Sequence, residues 1–288
     1  MKLGLVTPVL TLNPRAHNQW EETAGFDDVV AIAEAADRLG WHHITCSEHV
    51  AVPRHVAPTR GSRYWDPLAT FGYLASRTER VRLATHVLVL GYHHPLDIAK
   101  RYGTLDRVAA GRLVLGVGVG SLQEEFDLLG APFDDRGDRG DDAIRALRAS
   151  FGRREPTYHG GHYDYDGFVV DPHAVQDRVP IWIGGRTARS LRRAVDLGDA
   201  WVPFGLTLDE ERQLLARARG TDAWARRDRD LQLVLYAEGL DPVGDPAGAR
   251  AAVEQRAEAG ATAVNVRMVH RSRQHCLEQL AAMVDLVR

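Results

Sequence analysis

A run of glycines followed by acidic residues is the strongest chemical signal in this chain. The segment Gly111–Gly120 reads GRLVLGVGVG, then comes Ser121, and Glu124 and Glu125 follow at once. The aliphatic residues predict a strand buried on both faces, as in a parallel sheet. Glycines leave the space that an approaching ligand needs beside a strand, and the acidic pair favours the first turn of a helix. We therefore expect a ligand site at the end of this strand.

The spacing of these glycines argues against a Rossmann dinucleotide site. That fingerprint is GxGxxG on the first strand, with an acidic residue about 20 residues further on. Here the pattern is GxGxG on the fourth predicted strand, and no acidic residue ends a strand at the required distance. The site therefore belongs to another α/β fold, in which Gly118 and Gly120 let a flat ring or its side chain pass close to the strand.

A second glycine-containing segment has the composition of a phosphate site. Gly184, Gly185, Arg186 and Thr187 join a predicted strand to a predicted helix. Bare backbone N–H groups, the positive end of the helix dipole and a guanidinium all suit a phosphate. The other interpretation is a tight turn in which Thr187 caps the helix, and Thr187 would serve as a cap in either case.

His49 is the candidate catalytic residue. It follows the predicted strand His43–Glu48 directly, and polar residues at the carboxyl ends of barrel strands tend towards catalysis. An imidazole at this position can donate a hydrogen bond to a ring carbonyl or transfer a proton near neutral pH. The alternative is a histidine on a surface loop.

The elements that must position these residues alternate between strand and helix eight times. The predicted strands are Leu3–Pro8, His43–Glu48, Val81–Leu90, Leu113–Val119, Pro180–Gly185, Ala200–Phe204, Leu231–Glu238 and Ala263–Met268. Such units over 288 residues predict an α/β protein, a (β/α)8 TIM barrel that forms one domain over residues 1–288. Two connections are long, 49–65 after strand 2 and 152–179 before strand 5, and predict insertions that act as lids or binding loops.

Composition excludes several classes of protein. A formal net charge of −3 leaves no basic surface for nucleic acid or an anionic membrane, and the apolar runs are too short to span a bilayer. Cys46 and Cys276 are too few for a disulfide framework or a structural zinc site. His159 and His162 lie in a predicted hairpin that does not preorganise metal ligands, so we expect no metal. The expected location is the cytoplasm.

Several short motifs carry a family resemblance along nearly the whole chain. They are Gly4-Leu5 with Pro8, Ser47-Glu48-His49, His94-Pro95, Ala99-Lys100, Thr104-Leu105-Asp106, Gly111-Arg112, Gly116–Gly120, Glu125-Phe126 and Pro180–Gly185. In this order and spacing the set resembles the luciferase-like monooxygenase superfamily, and in particular its branch of F420-dependent oxidoreductases.

The resemblance implies a barrel that binds coenzyme F420, or FMN as the alternative, and acts on a small-molecule substrate. It places an active-site histidine at His49, and it places the cofactor phosphate near the loop from Gly184. In the deazaflavin branch a bulge of the third strand carries a non-proline cis peptide bond beside the ring, which falls here between His86 and Val87. The resulting cofactor-binding residues are Glu48, His86, Val87, Gly118, Gly120, Ser121, Gly184, Gly185, Arg186 and Thr187.

Ser121 is a departure from the branch. In its sugar-phosphate dehydrogenases a glutamate follows the last glycine and is the proposed proton donor, whereas serine is a poor acid. That reaction is therefore not expected here. Glu125 lies nearby on a predicted helix, where an exposed acid of the first turn is an equally good interpretation.

Three functions follow from this pattern. The first is hydride transfer between F420 and a small organic substrate, in which the deazaflavin does the redox chemistry. The second is an FMN-dependent monooxygenase on the same fold. The third is a barrel that binds a ligand without catalysis, since fold alone does not decide function. A homodimer is expected, with Tyr73 and Tyr102 of the early helices as candidate contacts.

Overall fold

The core of the protein is a ring of parallel strands. The computed structural model describes residues 1–288. We label its barrel strands β1 to β8: Lys2–Leu5, His43–Cys46, Arg82–Thr85, Leu113–Gly118, Ile181–Gly184, Ala200–Val202, Gln232–Leu240 and Ala263–Met268. Each strand pairs in parallel with the next, and β1 pairs with β8, so the sheet closes. The predicted (β/α)8 barrel is confirmed.

Eight helices surround the ring. We label them α1 to α8: Phe26–Leu39, Pro67–Ala75, Pro95–Val108, Arg136–Ser150, Ala188–Leu197, Leu208–Arg219, Pro246–Glu258 and Arg273–Val287. Their ends follow local chemistry: Asp66 and Asp245 accept a backbone hydrogen bond at the first turns of α2 and α7, as the Asp-Pro pairs predict. Gly40 ends α1 in the left-handed conformation. None of the helices is long and apolar enough to cross a membrane.

Strand alternation decides which side chains reach the barrel axis. One interior layer consists mainly of small and aliphatic side chains: Ala84, Val114, Trp182, Ala200, Val202, Val234 and Ala263. Successive side chains of a strand point to opposite faces, so the residues two positions further along also face inwards. They include His86 on the chain beyond β3 and Tyr236 on β7, and the same alternation carries Arg267 of β8 to the mouth of the barrel.

The two predicted insertions are present. Residues 47–66 include a helical turn at Ala57–Arg60, and residues 151–180 contain a two-stranded hairpin in which Tyr158–His159 pairs with Asp164–Tyr165. Buried Asp106 of α3 holds the second insertion, because its carboxylate accepts hydrogen bonds from the backbone of Val175 and Gln176 at 3.0 Å.

A third long connection, residues 6–25 between β1 and α1, was not predicted. The buried carboxylate of Glu21 organises it by accepting hydrogen bonds from the backbone N–H groups of Val9 and Asn18 at 2.8 Å. The indole of Trp20 donates to Nδ1 of His270 at 2.8 Å, which ties this loop to the chain just after β8. The loop after β1 is therefore tied to the carboxyl end of β8, at the mouth of the barrel.

Candidate active site

His49 leaves β2 at the barrel mouth and is held by a buried carboxylate. Its Nδ1 lies 2.6 Å from Oε2 of Glu125, and its ring meets the edge of Tyr64 at 4.5 Å between centroids. An ionised carboxylate only accepts hydrogen bonds, so Nδ1 carries the proton that is donated to it. The other ring nitrogen, Nε2, has no hydrogen-bond partner in the protein and is the atom available for proton exchange.

Glu125 is buried, so the interpretation of it as an exposed helix acid is wrong. It is 1% exposed because the chain after β2 folds over the helix Gln123–Leu129. Its Oε1 accepts from the backbone N–H groups of Val50 at 2.6 Å and Ala51 at 3.1 Å, and Oε2 also accepts from the Tyr92 hydroxyl at 2.7 Å. Burial acts to raise the pKa of Glu125, but the donated hydrogen bonds outweigh it and the pKa lies below its ordinary value.

A second acid–histidine pair lies on the same strand end. Glu48 is 7% exposed; its Oε2 accepts from the backbone N–H of Val89 at 2.7 Å, and its Oε1 lies 2.7 Å from Nε2 of His93. The pair joins the end of β2 to the segment after β3. Both carboxylate oxygens of Glu48 are therefore bound to the segment after β3. These contacts fix the end of β2, with His49, relative to Val87.

The third strand is interrupted where the resemblance implies a bulge. β3 ends at Thr85, the peptide bond between His86 and Val87 is cis, and the chain rejoins the sheet as Leu88–Val89 beside β4. The carbonyl of His86 accepts from the Ser47 hydroxyl at 2.7 Å. The carbonyl of Val87 accepts from the backbone N–H of Glu48 at 3.3 Å. The ends of β2 and β3 are thus joined across the break.

The glycines of β4 and β5 make room for side chains of the protein itself. A Cβ on Gly118 would lie 2.8 Å from Cγ2 of Val87, and one on Gly184 would lie 2.6 Å from Cγ1 of the same residue. Val87 therefore sits between the two strand ends. A Cβ on Gly120 would lie 2.5 Å from the Phe126 ring. The space expected for a ring beside β4 is filled by Val87 and Phe126, so a ring would lie against Val87 rather than on the glycine backbone.

The phosphate-loop residues lie at the start of α5, as predicted. Gly185 has φ of +131°, and Thr187 caps the helix by accepting from the backbone N–H of Ser190 at 3.3 Å. The first helical bond runs from Leu191 to Thr187, and the Thr187 and Ser190 amides donate to each other's hydroxyl oxygens in a capping box. The amides of Ala188 and Arg189 have no partner in the protein. Arg186 is exposed beside them and forms no ion pair. The capping interpretation of Thr187 is confirmed, whereas phosphate binding by the remaining amides of the turn and by Arg186 stays a prediction.

Ser121 contacts the insertion after β2, residues 47–66, which we call the lid. Its hydroxyl accepts from the Arg60 guanidinium at 3.0 Å, and Arg60 lies in the helical turn of the insertion after β2. His55 of that insertion lies 3.4 Å from Glu124. Together with the Glu125 bonds, these contacts fasten the lid 47–66 to the helix after β4. The place of Ser121 in cofactor binding stays a prediction.

Two stacked aromatic rings lie inside the barrel mouth. His86 and Tyr236 come from opposite sides of the barrel and stack at 5.7 Å with 23° between their planes. Nε2 of His86 is buried without a hydrogen-bond partner, and burial lowers the pKa of this imidazole to about 4. It is neutral at neutral pH, so His49 is the histidine of the mouth that is suited to proton transfer.

Sequence reasoning missed several polar residues of the mouth. Glu125 was named without its role, and His93, Tyr236 and Arg267 were not assigned to the site. The only sequence signal for them was strand alternation, which places Tyr236 and Arg267 on interior faces. The structure contains no group of three or more His, Cys, Asp or Glu side chains arranged to hold a metal ion.

Comparison with known proteins places the chain in a family. The profile of the luciferase-like monooxygenase family matches residues 1–275. An uncharacterised protein of Mycobacterium tuberculosis, Rv0953c, is 30% identical over 270 residues, which cover 88% of this chain and 92% of that protein. The oxygenase component of the flavin-dependent trigonelline monooxygenase of Acinetobacter baylyi is 26% identical over 187 residues, covering 64% of this chain and 50% of that protein.

Solved structures share the fold. Monooxygenase RslO1 from Streptomyces bottropensis superposes with a TM-score of 0.76 at 21% identity, covering 100% of this chain and 98% of that one. An F420-dependent secondary alcohol dehydrogenase, solved with an F420–acetone adduct, gives a TM-score of 0.76 at 14% identity, covering 100% and 99%. At these identities the likeness shows the barrel alone, while the sequence profile covers nearly the whole chain. The chain belongs to the luciferase-like monooxygenase family, whose members are oxidoreductases.

Proposed function

We propose that this protein is an F420-dependent oxidoreductase that transfers a hydride between the deazaflavin and a small organic substrate. The observation that carries the proposal is the His49–Glu125 pair at the barrel mouth, with 2.6 Å between Nδ1 and Oε2. Hydride transfer to a carbonyl carbon must be accompanied by a proton to its oxygen. A histidine held by a buried carboxylate is a suitable group to exchange that proton.

The residues of the mouth fit such a cofactor. The first turn of α5 with Arg186 would hold its phosphate, and Val87, wedged between Gly118 and Gly184, offers an apolar surface for one face of the ring. When bound, the deazaflavin supplies the two-electron redox chemistry. The lid 47–66 covers the approach from the β2 side, which limits the access of water to the substrate.

The chain's own part in the reaction is the proton at Nε2 of His49. In the direction of carbonyl reduction the imidazolium donates this proton to the substrate oxygen, and in the direction of oxidation the neutral ring accepts it. Glu125 remains ionised throughout because its pKa is held below the ordinary value. It fixes Nδ1 as the protonated nitrogen and stabilises the charge of the imidazolium. Tyr92 and the Val50 and Ala51 amides keep the carboxylate in place.

The second candidate is an FMN-dependent monooxygenase. The observation that favours it is the 26% identity to the oxygenase component of a flavin-dependent monooxygenase. Its cofactor phosphate would use the same first turn of α5, so the loop does not distinguish FMN from F420. His49 would then serve as a hydrogen-bond donor to the ring rather than as a proton donor to the substrate.

We predict that the purified protein binds F420 with micromolar affinity and FMN at least about tenfold more weakly. Titration of each cofactor, followed by its fluorescence, measures the two constants under identical conditions. Turnover of reduced F420 with a panel of ketones and aldehydes then tests catalysis. Preference for FMN would replace the proposal by the second candidate, and binding of F420 without any turnover would leave a non-catalytic binding barrel.

We also propose a homodimer formed through α2 and α3. A groove of 330 Å³ between these helices is lined by Leu68, Gly72, Leu105 and Val108 together with Lys100, Arg101 and Thr104. Val108 is 60% exposed, and Tyr73 on α2 is 52% exposed. Tyr102 does not belong to this surface, because it is 2% exposed and packs in the core. The prediction of Tyr102 as a contact is therefore wrong.

Val108→Glu is expected to convert the dimer to monomers, because a charge would be buried in an apolar contact. Light scattering coupled to size exclusion measures the mass of wild type and variant. Val243→Glu is the matched control, since Val243 is 50% exposed on a distant loop. A monomeric wild type at micromolar concentration, or a dimeric Val108 variant, would contradict the assignment.

A further inference from the structure

Arg267 is a cation without an anionic partner inside the barrel mouth. It lies on β8 two residues beyond Asn265, whose side chain bonds to His43 in the barrel interior at 2.6 Å. Strand alternation therefore turns Arg267 inwards. It is partly buried, and none of the ion pairs of the structure includes it. The nearest acid on the adjacent strand, Glu238, is exposed and is not paired with it.

Two rings lie beside Arg267. Tyr236 of β7 pairs in register with Asn265 of β8, two residues before Arg267, and His86 stacks on Tyr236 with 5.7 Å between the ring centroids. The charge of Arg267 also acts on the pKa values of His86, Tyr236, Tyr64 and His270. Tyr64 also contacts the ring of His49, with 4.5 Å between centroids. Tyr64 is therefore in contact with His49 and within the electrostatic reach of Arg267.

A second observation at this place also indicates a ligand. Nε2 of His86 is buried and has no partner, directly beside Tyr236 and within the field of Arg267. Buried polar atoms in proteins are nearly always hydrogen-bonded, and an uncompensated guanidinium in a partly dry site is unfavourable. A ligand oxygen between these side chains would satisfy both.

We propose that Arg267 binds a carboxylate group of the substrate. The planar guanidinium matches a carboxylate through two parallel N–H···O bonds, and Tyr236 and His86 lie beside it as further polar contacts. The loop proposed for the cofactor phosphate follows β5, three strands away around the barrel, so Arg267 is available for a second anionic group. The substrate would lie with its carboxylate at Arg267 and its reacting carbon towards His49. This inference rests on the proposed function only in calling the bound molecule a substrate.

Titration of the cofactor-free protein with propionate and with propionamide tests the site without any turnover. Wild type should bind propionate and not the uncharged amide of the same shape. In Arg267→Met the affinity for propionate should fall about 10- to 100-fold, the range of a charge-assisted hydrogen-bonded pair. Arg271→Met, an exposed arginine four residues further along, is the matched control and should bind as wild type does. Arg267→Gln replaces the methionine variant if circular dichroism shows that the latter is unfolded.

Equal affinity of the wild type and the Arg267 variant for propionate would overturn the proposal, as would equal binding of propionamide. Titration of the same variants with F420 shows whether Arg267 binds an oxygen of the substrate or an oxygen of the cofactor. F420 affinity should change less than about twofold in Arg267→Met. A loss of F420 affinity parallel to that of propionate would assign the guanidinium to the cofactor ring and overturn the substrate assignment. If wild type bound propionate but not F420, the proposed function would fail while the anion site stood.

Discussion

His49→Ala is expected to lower turnover with F420 by about 100- to 10,000-fold, the usual contribution of a positioned acid or base. The affinity for F420 should change by less than about twofold, because the first turn of α5 and Val87 are untouched. The physical reason is that Nε2 of His49 is the exchangeable nitrogen of a ring whose Nδ1 is committed to Glu125. Steady-state kinetics and a cofactor titration on the same preparation measure the two effects separately.

Glu125→Gln distinguishes a catalytic histidine from a scaffold residue. A neutral amide keeps the shape of the side chain and can still accept from the Val50 and Ala51 amides, but it no longer stabilises an imidazolium. The kcat for carbonyl reduction, in which the imidazolium donates the proton, should therefore fall about tenfold. Glu124→Gln is the matched control on the same helix, since Glu124 is exposed and pairs only with His55 of the lid.

Full turnover of His49→Ala with a suitable acceptor would show that the histidine is not catalytic. A kcat of Glu125→Gln equal to that of wild type would show that the carboxylate acts only by holding the lid. In that case thermal unfolding should still report a loss of stability, because four hydrogen bonds converge on this side chain. The two measurements thus separate positioning from stability.

Gly185→Val is expected to remove measurable F420 binding, a loss of more than about 100-fold. Gly185 has φ of +131°, and a Cβ there would lie 2.7 Å from Cβ of Ser190, so a branched residue must displace the first turn of α5. The amides of that turn would then no longer converge on a phosphate. Fluorescence titration measures the affinity, and circular dichroism with thermal unfolding checks that the barrel has formed.

Arg186→Gln tests the same loop without backbone strain. Loss of one charge-assisted hydrogen bond to the phosphate should weaken F420 about tenfold or more. Arg192→Gln, exposed further along the same helix, is the control that should leave the affinity unchanged. A folded Gly185 variant and an Arg186 variant that both bind as wild type would place the phosphate elsewhere.

The positions of strands and helices followed from the sequence because their signals are local. Alternating strand and helix patterns, Asp-Pro caps and the glycine after α1 each act within a few residues, and the observed boundaries differ from the predicted ones by only a few positions. The interruption at His86-Val87 was the exception, since strand periodicity predicts a continuous strand there. It was expected from the family resemblance alone.

The tertiary structure decided which side chains meet. Glu125 belongs to a short helix and reads as a solvated acid, yet the lid that buries it departs from β2, 75 residues earlier in the chain at Val50. Gly118 and Gly120 predict space for a ligand, whereas the side chains of Val87 and Phe126 occupy that space. Tyr102 reads as a surface contact but lies in the core.

Local patterns do not determine these contacts, because folding brings together segments that are far apart in the sequence. Periodicity specifies which face of an element is apolar, and that requirement is met within the element itself. The neighbours that cover a polar side chain are set by loops that return from distant parts of the sequence, and no local pattern encodes their path. The sequence by itself therefore determined the family, the barrel and the position of His49 on a strand end. Only the folded chain determined that Glu125 is its partner and that Val87 occupies the space beside Gly118.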